Sequence, residues 1–143
     1  MNRGLARVGH GLGRLAFVLL LAGLVPAASA QTRSRLAVIG DLDWVRVGQA
    51  GYCGEQMAIP PESRTKIFLQ GGERTWVRIK GAPAFRFRCE GEYSFVPDPE
   101  TAYIMRYTLV GRGCVFELFR VVPGGDPVPA ALTREQGQIC IGK

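Results

Sequence analysis

The sequence predicts an all-β fold, a small antiparallel β-sandwich or barrel of about seven short strands cross-linked by two disulfides. Three observations lead to this prediction. Apolar and polar residues alternate over short runs, which is typical of half-buried strands and differs from the spacing of a helix. Turn-forming residues such as Gly71-Gly72 and Pro97-Asp98-Pro99 separate these runs. The chain also contains an even number of cysteines, four, within a single-domain length of 143 residues.

The clearest alternation lies in two runs near the middle of the chain. Residues 74–80 place Val77 and Ile79 on one face, and on the other face they place Trp76, Arg78 and Lys80. Residues 84–89 place an apolar set opposite two arginines, with Phe85, Phe87 and Cys89 on one side and Arg86 and Arg88 on the other. A hairpin through Gly81-Ala82-Pro83 would pair the two runs and bring their basic residues onto one exposed face.

The remaining strand candidates are residues 36–39, 44–47, 65–69, 103–109 and 115–121. The last is apolar on both faces except at Glu117 and Arg120, which predicts a central strand. We expect four apolar side chains here to lie in the core: Tyr103, Met105, Tyr107 and Phe119. The one helical candidate is a turn over Thr133–Gln138, and Gln31–Arg35 is predicted to be a frayed tail.

Residues 1–30 have the pattern of a secretory signal peptide. Three arginines without an acid precede the apolar run 15–25, and Ala28-Ser29-Ala30 fits a cleavage site. The apolar run is shorter than the ~20 residues that span a bilayer, and we expect no transmembrane segment in residues 31–143. Cleavage near Ala30 would leave one β domain, 31–143. We therefore expect a periplasmic or secreted protein.

Loss of the signal peptide changes the charge balance. The formal net charge of the whole chain is +6, and removal of three arginines lowers it to +3. The resulting domain is too weakly basic to predict a nucleic-acid partner.

The four cysteines predict two disulfides in an oxidising compartment. Sequence alone permits three pairings. We favour Cys89–Cys114, which would close a local segment of strands, together with Cys53–Cys140, which would tie the C-terminal tail to the start of the domain.

The only histidine, His10, lies in the predicted signal peptide. Residues 31–143 therefore lack the imidazole that Ser-His-Asp and Cys-His catalysis require and that most zinc and copper sites use. We predict no metal site, no cofactor and no enzymatic activity.

Carboxylates offer two weaker candidate sites. Asp41 and Asp43 have the spacing that begins a calcium loop, but the rest of that pattern is missing, which favours a solvated turn. Glu90 and Glu92 share a strand face at ~7 Å, a separation that glycosidase acid/base pairs also use. Because they flank Gly91 in a predicted turn, we expect them to be exposed.

The leading candidate binding face comprises Trp76, Arg78, Lys80, Arg86 and Arg88. An indole flanked by guanidinium groups can contact a protein or an anionic polymer, and the alternative is a solvated face on which arginine stems cover the tryptophan. We expect Trp44 and Tyr52 to line the core around a disulfide. The alternative there is a loop that presents Tyr52 and Glu55 to a partner.

These observations predict a non-catalytic binding module of the bacterial envelope, monomeric or weakly dimeric, that engages an envelope protein or an anionic polymer through a sheet face or loops. One alternative is a small inhibitor or immunity protein directed against a hydrolase, with Gly71-Gly72-Glu73 or Pro123–Pro127 as the inserted loop. A carboxylate-dependent enzyme that uses Glu90 and Glu92 is the remaining alternative.

Overall fold

The computed structural model of the protein describes residues 32–82 and 88–141. In these ranges the strands are β1 (Arg33–Ile39), β2 (Leu42–Gly48), β3 (Met57–Ala58), β4 (Ile67–Gln70), β5 (Thr75–Gly81), β6 (Glu90–Phe95), β7 (Ala102–Val110), β8 (Gly113–Arg120), β9 (Val128–Pro129) and β10 (Thr133–Arg134). A single 3₁₀ turn, Pro61–Ser63, precedes β4. The predicted signal peptide and Arg86 lie outside the described residues.

The strands form two five-stranded sheets that pack as a β-sandwich. The first sheet has the order β4-β1-β7-β8-β9 and the second has the order β10-β6-β5-β2-β3. Every neighbouring pair is antiparallel except β1 and β7, which run parallel. The prediction of an all-β fold is confirmed, and of its two alternatives the structure has the sandwich. Seven of the described strands have four residues or more, which agrees with the predicted number of about seven.

The core lies between the sheets and follows from the alternation within each strand. The inward positions of the four central strands carry fully buried aliphatic and thioether side chains: Leu36, Val38, Val45, Val47, Val77, Ile79 and Met105. Aromatic rings close one end of this core, where Tyr93 and Tyr107 each lie 5.1 Å from the ring of Phe116. The core positions predicted for Tyr103, Met105 and Tyr107 are confirmed.

Two predictions at the chain ends are wrong. The predicted tail is ordered from Arg33, because β1 pairs with β4 on one side and with β7 on the other. Ser34 is fully buried there, and its hydroxyl donates a hydrogen bond to the carbonyl of Asp98. The predicted helical turn at Thr133 is instead the short strand β10, which pairs with β6 through Thr133 and Ser94.

The predicted hairpin between residues 74–80 and 84–89 does not form. The partners of β5 are β2 and β6, and Arg78 lies opposite Glu92 rather than an arginine. Arg88 and Cys89 precede β6, and the Gly81 amide at the end of β5 donates to the Cys89 carbonyl at 2.7 Å. Residues 84–89 and residues 90–95 both alternate in polarity, so the sequence does not indicate which of the two runs pairs with β5.

The assignments in β8 also need correction. Phe119 points away from the core, where the guanidinium of Arg106 lies 4.8 Å from its ring. Phe116 and Leu118 supply the inward side chains instead. Much of β8 is not central, because its second neighbour β9 pairs only with Phe119 and Arg120.

Both predicted disulfides are confirmed: Cys53 bonds to Cys140, and Cys89 bonds to Cys114. The Cys89–Cys114 bond closes a local segment of strands, as expected, and it also joins the segment before β6 in the second sheet to β8 in the first. Cys53–Cys140 fastens the C-terminal segment to the loop after β2, as expected. The described residues contain no helix with the length and hydrophobicity to span a bilayer.

Candidate binding face

The outward residues of β2 and β5 form the main candidate site. Because the valines of β2 and the Val77–Ile79 pair of β5 face the core, the alternate positions point outward. We call this outward set the tryptophan–arginine face: Trp44, Arg46, Trp76, Arg78 and Lys80. It contains three of the predicted site residues and two residues of β2 that were not predicted to belong to it.

The strand register orders this face in three rows. Trp44 lies opposite Lys80, Arg46 lies opposite Arg78, and Trp76 lies opposite Gly48. The two tryptophans therefore occupy opposite ends of the face, about 13 Å apart along the strands. The two arginines lie between them.

Both of the predicted basic residues on β5 have acidic partners. The Arg78 Nε lies 3.1 Å from Glu92 Oε1, and the Lys80 Nζ lies 2.7 Å from Asp43 Oδ2. The carboxylates come from β6 and from the bulge of β2, so only the tertiary pairing brings them here. These contacts neutralise most of the positive charge that the sequence places on β5.

Tyr52 covers the middle of the face. Its ring lies 5.2 Å from the Arg78 guanidinium, and its hydroxyl donates to Glu92 Oε2. The backbone amide of Gln138 donates to the same hydroxyl at 2.9 Å. Tyr52 is therefore buried beside the Cys53–Cys140 bond, as expected, but over the outer face of the second sheet rather than in the core between the sheets. Glu55 is exposed.

Trp44 and Arg46 form the uncovered end of the face. The Arg46 guanidinium lies 5.5 Å from the Trp44 ring centroid, and Arg46 is exposed with no ion pair among the residues that the structure describes. The prediction that Trp44 lines the core is wrong, because it occupies an outward position. The alternation Trp44-Val45-Arg46-Val47 already indicates that Trp44 points away from the valines. Only the register with β5 shows that Trp44 lies beside the other predicted residues.

The other predicted residues of this site do not join the face. Arg88 is exposed and precedes Glu90, the strand partner of Lys80, so it lies beyond the end of the face. It lines a 180 Å³ cavity beside the Cys89–Cys114 bond. Arg86 lies outside the described residues, so its position relative to the face is not assigned.

Of the predicted carboxylates, Glu92 and Asp43 already have partners in the described ranges. Glu92 is bound by Arg78 and Tyr52, while Glu90 points into solvent. Asp43 is bound by Lys80. Among residues 32–82 and 88–141 no three side chains with metal-binding chemistry cluster together.

A cleft with a volume of about 460 Å³ lies between the sheets, where the chain crosses from β9 to β10. The polar groups that line this cleft form hydrogen bonds and an ion pair with one another. The Tyr103 hydroxyl accepts a hydrogen bond from the Asp98 amide at 2.9 Å and donates to Asp98 Oδ2 at 3.2 Å. Arg120 lies 3.8 Å from the same carboxylate. Burial is the main cause that raises the pKa of the Tyr103 phenol above its usual value.

Neither the family models, nor the curated proteins, nor the solved structures contain a match to this chain. The proposed function therefore depends on the arrangement of the described residues alone. The tryptophan–arginine face is distinguished by two outward tryptophans and by Arg46, which has no ion pair among the described residues, whereas the other two cations of the face are paired with carboxylates.

Proposed function

We propose that this protein is an exported, non-catalytic binding module that engages a partner protein through the tryptophan–arginine face. The main supporting observation is the Trp44–Arg46 pair, whose guanidinium is stacked over the indole and has no carboxylate partner within residues 32–82 and 88–141. Tryptophan and arginine are the residue types most enriched at the energetic centres of protein interfaces. A side chain that is already ordered loses less entropy when a partner binds.

Charge pairing favours a protein partner over an anionic polymer. Binding to a polyanion gains its free energy from unpaired cations that replace counterions. On this face Arg78 and Lys80 already have carboxylate partners, and Arg46 alone is left unpaired among the described residues. Mixed charge around large aromatic side chains is typical of protein–protein contacts.

The proposed compartment is the periplasm or the extracellular space. The signal-peptide pattern of residues 1–30 supports export. The two disulfides support an oxidising environment, because cytosolic reductants keep thiols reduced. The absence of histidine from residues 31–143 supports a role without imidazole catalysis.

Affinity capture followed by a direct binding measurement tests the proposal. The oxidised protein, immobilised through the amino terminus left after export, is exposed to the envelope and secreted proteins of the producing cell. The protein retained by the wild type is then purified and titrated by calorimetry against wild type and the Trp44→Ala/Arg46→Ala variant. We expect the variant to bind at least about tenfold more weakly, since loss of one interface anchor costs more than ~1.4 kcal/mol.

The matched control is Met57→Ala/Arg134→Ala, which removes an exposed apolar and an exposed basic side chain elsewhere on the second sheet. It should bind as wild type does. Equal affinity of Trp44→Ala/Arg46→Ala and wild type would refute the assignment of this face. Retention of a sulfated polysaccharide with no protein would show that the ligand is a polyanion.

A second candidate, an inhibitor that inserts an apolar segment into a hydrolase, is favoured by one specific observation. The disulfide-fastened C-terminal segment exposes 88% of Ile139 and 93% of Ile141. Cys140 between them is tied to Cys53, so the segment that presents both side chains is held in place. If the captured partner is a hydrolase, Ile139→Ser/Ile141→Ser should abolish inhibition, whereas Trp44→Ala/Arg46→Ala should not.

A further inference from the structure

The outer face of the first sheet carries large apolar side chains that no other element of the described chain covers. Its outward positions lie on β4, β1, β7 and β8. These positions hold Ile39, Phe68, Ile104, Val110, Val115 and Phe119. We call this set, with the arginines between its members, the first-sheet face.

The register makes part of this apolar surface continuous. Ile104 on β7 lies between Ala37 on β1 and Phe119 on β8, and these three side chains form a row across the middle of the sheet. Phe68 on β4 lies diagonal to Ala37 and extends this row on one side. These apolar residues form one patch, whereas Val115 lies opposite Thr108, beyond the Arg106–Glu117 ion pair, and is separate from it.

The first-sheet face is open to solvent at several points. Phe68 is 62% exposed and Val110 is 58% exposed, and Ile39 and Val115 are also exposed. Isolated exposed apolar side chains are ordinary, but a contiguous apolar patch on a sheet marks an interaction surface.

Uncompensated positive charge borders the patch on β1. Arg33 and Arg35 are both exposed, and neither has an ion pair among residues 32–82 and 88–141. The third arginine of the face, Arg106, is bound to Glu117 at 2.9 Å and covers Phe119. The face therefore combines an apolar centre with two free guanidinium groups at one side.

We propose that the first-sheet face binds a protein whose contact surface is apolar and bordered by carboxylates. Apolar contact supplies the affinity, and carboxylates opposite Arg33 and Arg35 supply charge complementarity and orientation. A second copy of this chain that presents the same face is a poor occupant, because the only carboxylate that the described residues place on this face, Glu117, is already paired with Arg106. This surface is formed by a different sheet from the tryptophan–arginine face, so the two proposals stand independently.

A peptide pair of defined chemistry tests this inference on the oxidised, folded protein. The probe is a capped peptide of alternating leucine and glutamate, and its counterpart carries lysine in place of every glutamate. Amide chemical-shift mapping should place the acidic peptide on β1, β7 and β8, with affinity that falls as salt rises through about 0.3 M. The lysine peptide should not bind there.

Matched variants connect the binding to the named residues. Phe68→Ser/Arg35→Glu should lower the affinity for the acidic peptide at least about tenfold, the loss expected for one apolar anchor and one charge reversal. The control Met57→Ser/Arg112→Glu replaces a residue of similar exposure, 67%, and an exposed arginine beyond the far end of β7. It should leave the affinity unchanged, as should Trp44→Ala/Arg46→Ala.

Three results would overturn the inference. The first is no binding of the acidic peptide at about millimolar concentration, or equal binding of the lysine peptide. The second is shift changes that map to the second sheet. The third is a wild-type dimer in sedimentation equilibrium that Phe68→Ser/Arg35→Glu dissociates, because the face would then be a contact between copies of this chain.

Discussion

At the scale of single residues, folding opposes the ionisation of two phenols. Burial raises the pKa of Tyr93 above its usual value, and the nearby Arg134 offsets part of that rise. Burial raises the pKa of Tyr103 as well, while the hydrogen bond from the Asp98 amide acts in the opposite direction. Both rings lie against core aromatics, Tyr93 beside Phe116 and Tyr103 beside Phe95.

We therefore expect alkaline pH to destabilise the protein through these two residues. In the unfolded chain both phenols lose their protons near pH 10, whereas in the native state they keep them to higher pH. Their contribution to stability is complete below about pH 10 and is lost as the pH rises through the native pKa values. The check is the urea midpoint at about pH 9 and pH 11, with phenolate absorbance near 295 nm as a second readout. The Tyr93→Phe/Tyr103→Phe variant should show a smaller decline, and an equal decline would contradict the assignment.

At the scale of secondary-structure elements, one side chain links the edge of the first sheet to the second. The Gln49 carboxamide follows β2 and reaches Gln70 at the end of β4. Its oxygen accepts from the Gln70 amide at 2.8 Å, and its nitrogen donates to the Gln70 carbonyl at 3.0 Å. The same nitrogen donates to Thr75 Oγ1 on β5 at 2.9 Å. The carboxamide thus supplies hydrogen-bond partners for the backbone amide and carbonyl of Gln70, which lies on an edge strand and has no further strand partner in the described sheet.

We expect Gln49→Ala to lower the free energy of unfolding by about 1–3 kcal/mol, because it leaves partly buried backbone groups of Gln70 unsatisfied. Urea denaturation measures the loss, and faster hydrogen exchange at the Gln70 amide locates it. The matched control is Gln56→Met, which removes a carboxamide whose buried atoms have no hydrogen-bond partner among the described residues. That variant should be neutral or stabilising, and a cost equal to that of Gln49→Ala would contradict this account.

At the scale of the whole molecule, the disulfides connect parts of the chain that strand pairing alone leaves separate. Cys89–Cys114 joins the two sheets across a sequence separation of 25 residues. Cys53–Cys140 spans 87 residues and holds the C-terminal segment against Tyr52. Because a domain of this size buries a limited share of its surface, these two links carry a large part of its net stability.

The chain-entropy model gives about 3–4 kcal/mol for the Cys89–Cys114 loop and about 4–5 kcal/mol for the Cys53–Cys140 loop. We therefore expect Cys53→Ala/Cys140→Ala to lower the free energy of unfolding by more than Cys89→Ala/Cys114→Ala does. Urea denaturation of the two variants under oxidising conditions measures the order. Only the Cys53→Ala/Cys140→Ala variant should also lose hydrogen-exchange protection at the Gln138 amide. The reverse order of stability would show that native contacts, rather than loop length, set the contribution of each bond.

The sequence by itself determined the class of fold and the side of each well-patterned strand that faces the core. It permitted three cysteine pairings, and the structure contains the favoured one. Alternation is a local property, so Val77 and Ile79 identify the inward face of β5 without knowledge of its neighbours. The same local rule identified Trp76, Arg78 and Lys80 as outward residues. It failed for Phe119 because β8 is apolar at both its inward and outward positions, and the sequence then contains no signal for the direction of each ring.

Only the tertiary structure decided which outward residues are neighbours and which of their charges are left unpaired. Glu92 reaches Arg78 because β6, rather than residues 84–89, pairs with β5. Asp43 reaches Lys80 across a separation of 37 residues through the pairing of β2 with β5. Strand pairing is a non-local choice among runs with the same period, and residue type alone does not encode it. The sequence predicts a site on a basic hairpin, whereas the structure favours the Trp44–Arg46 end of the face. There the guanidinium has no carboxylate partner among the described residues.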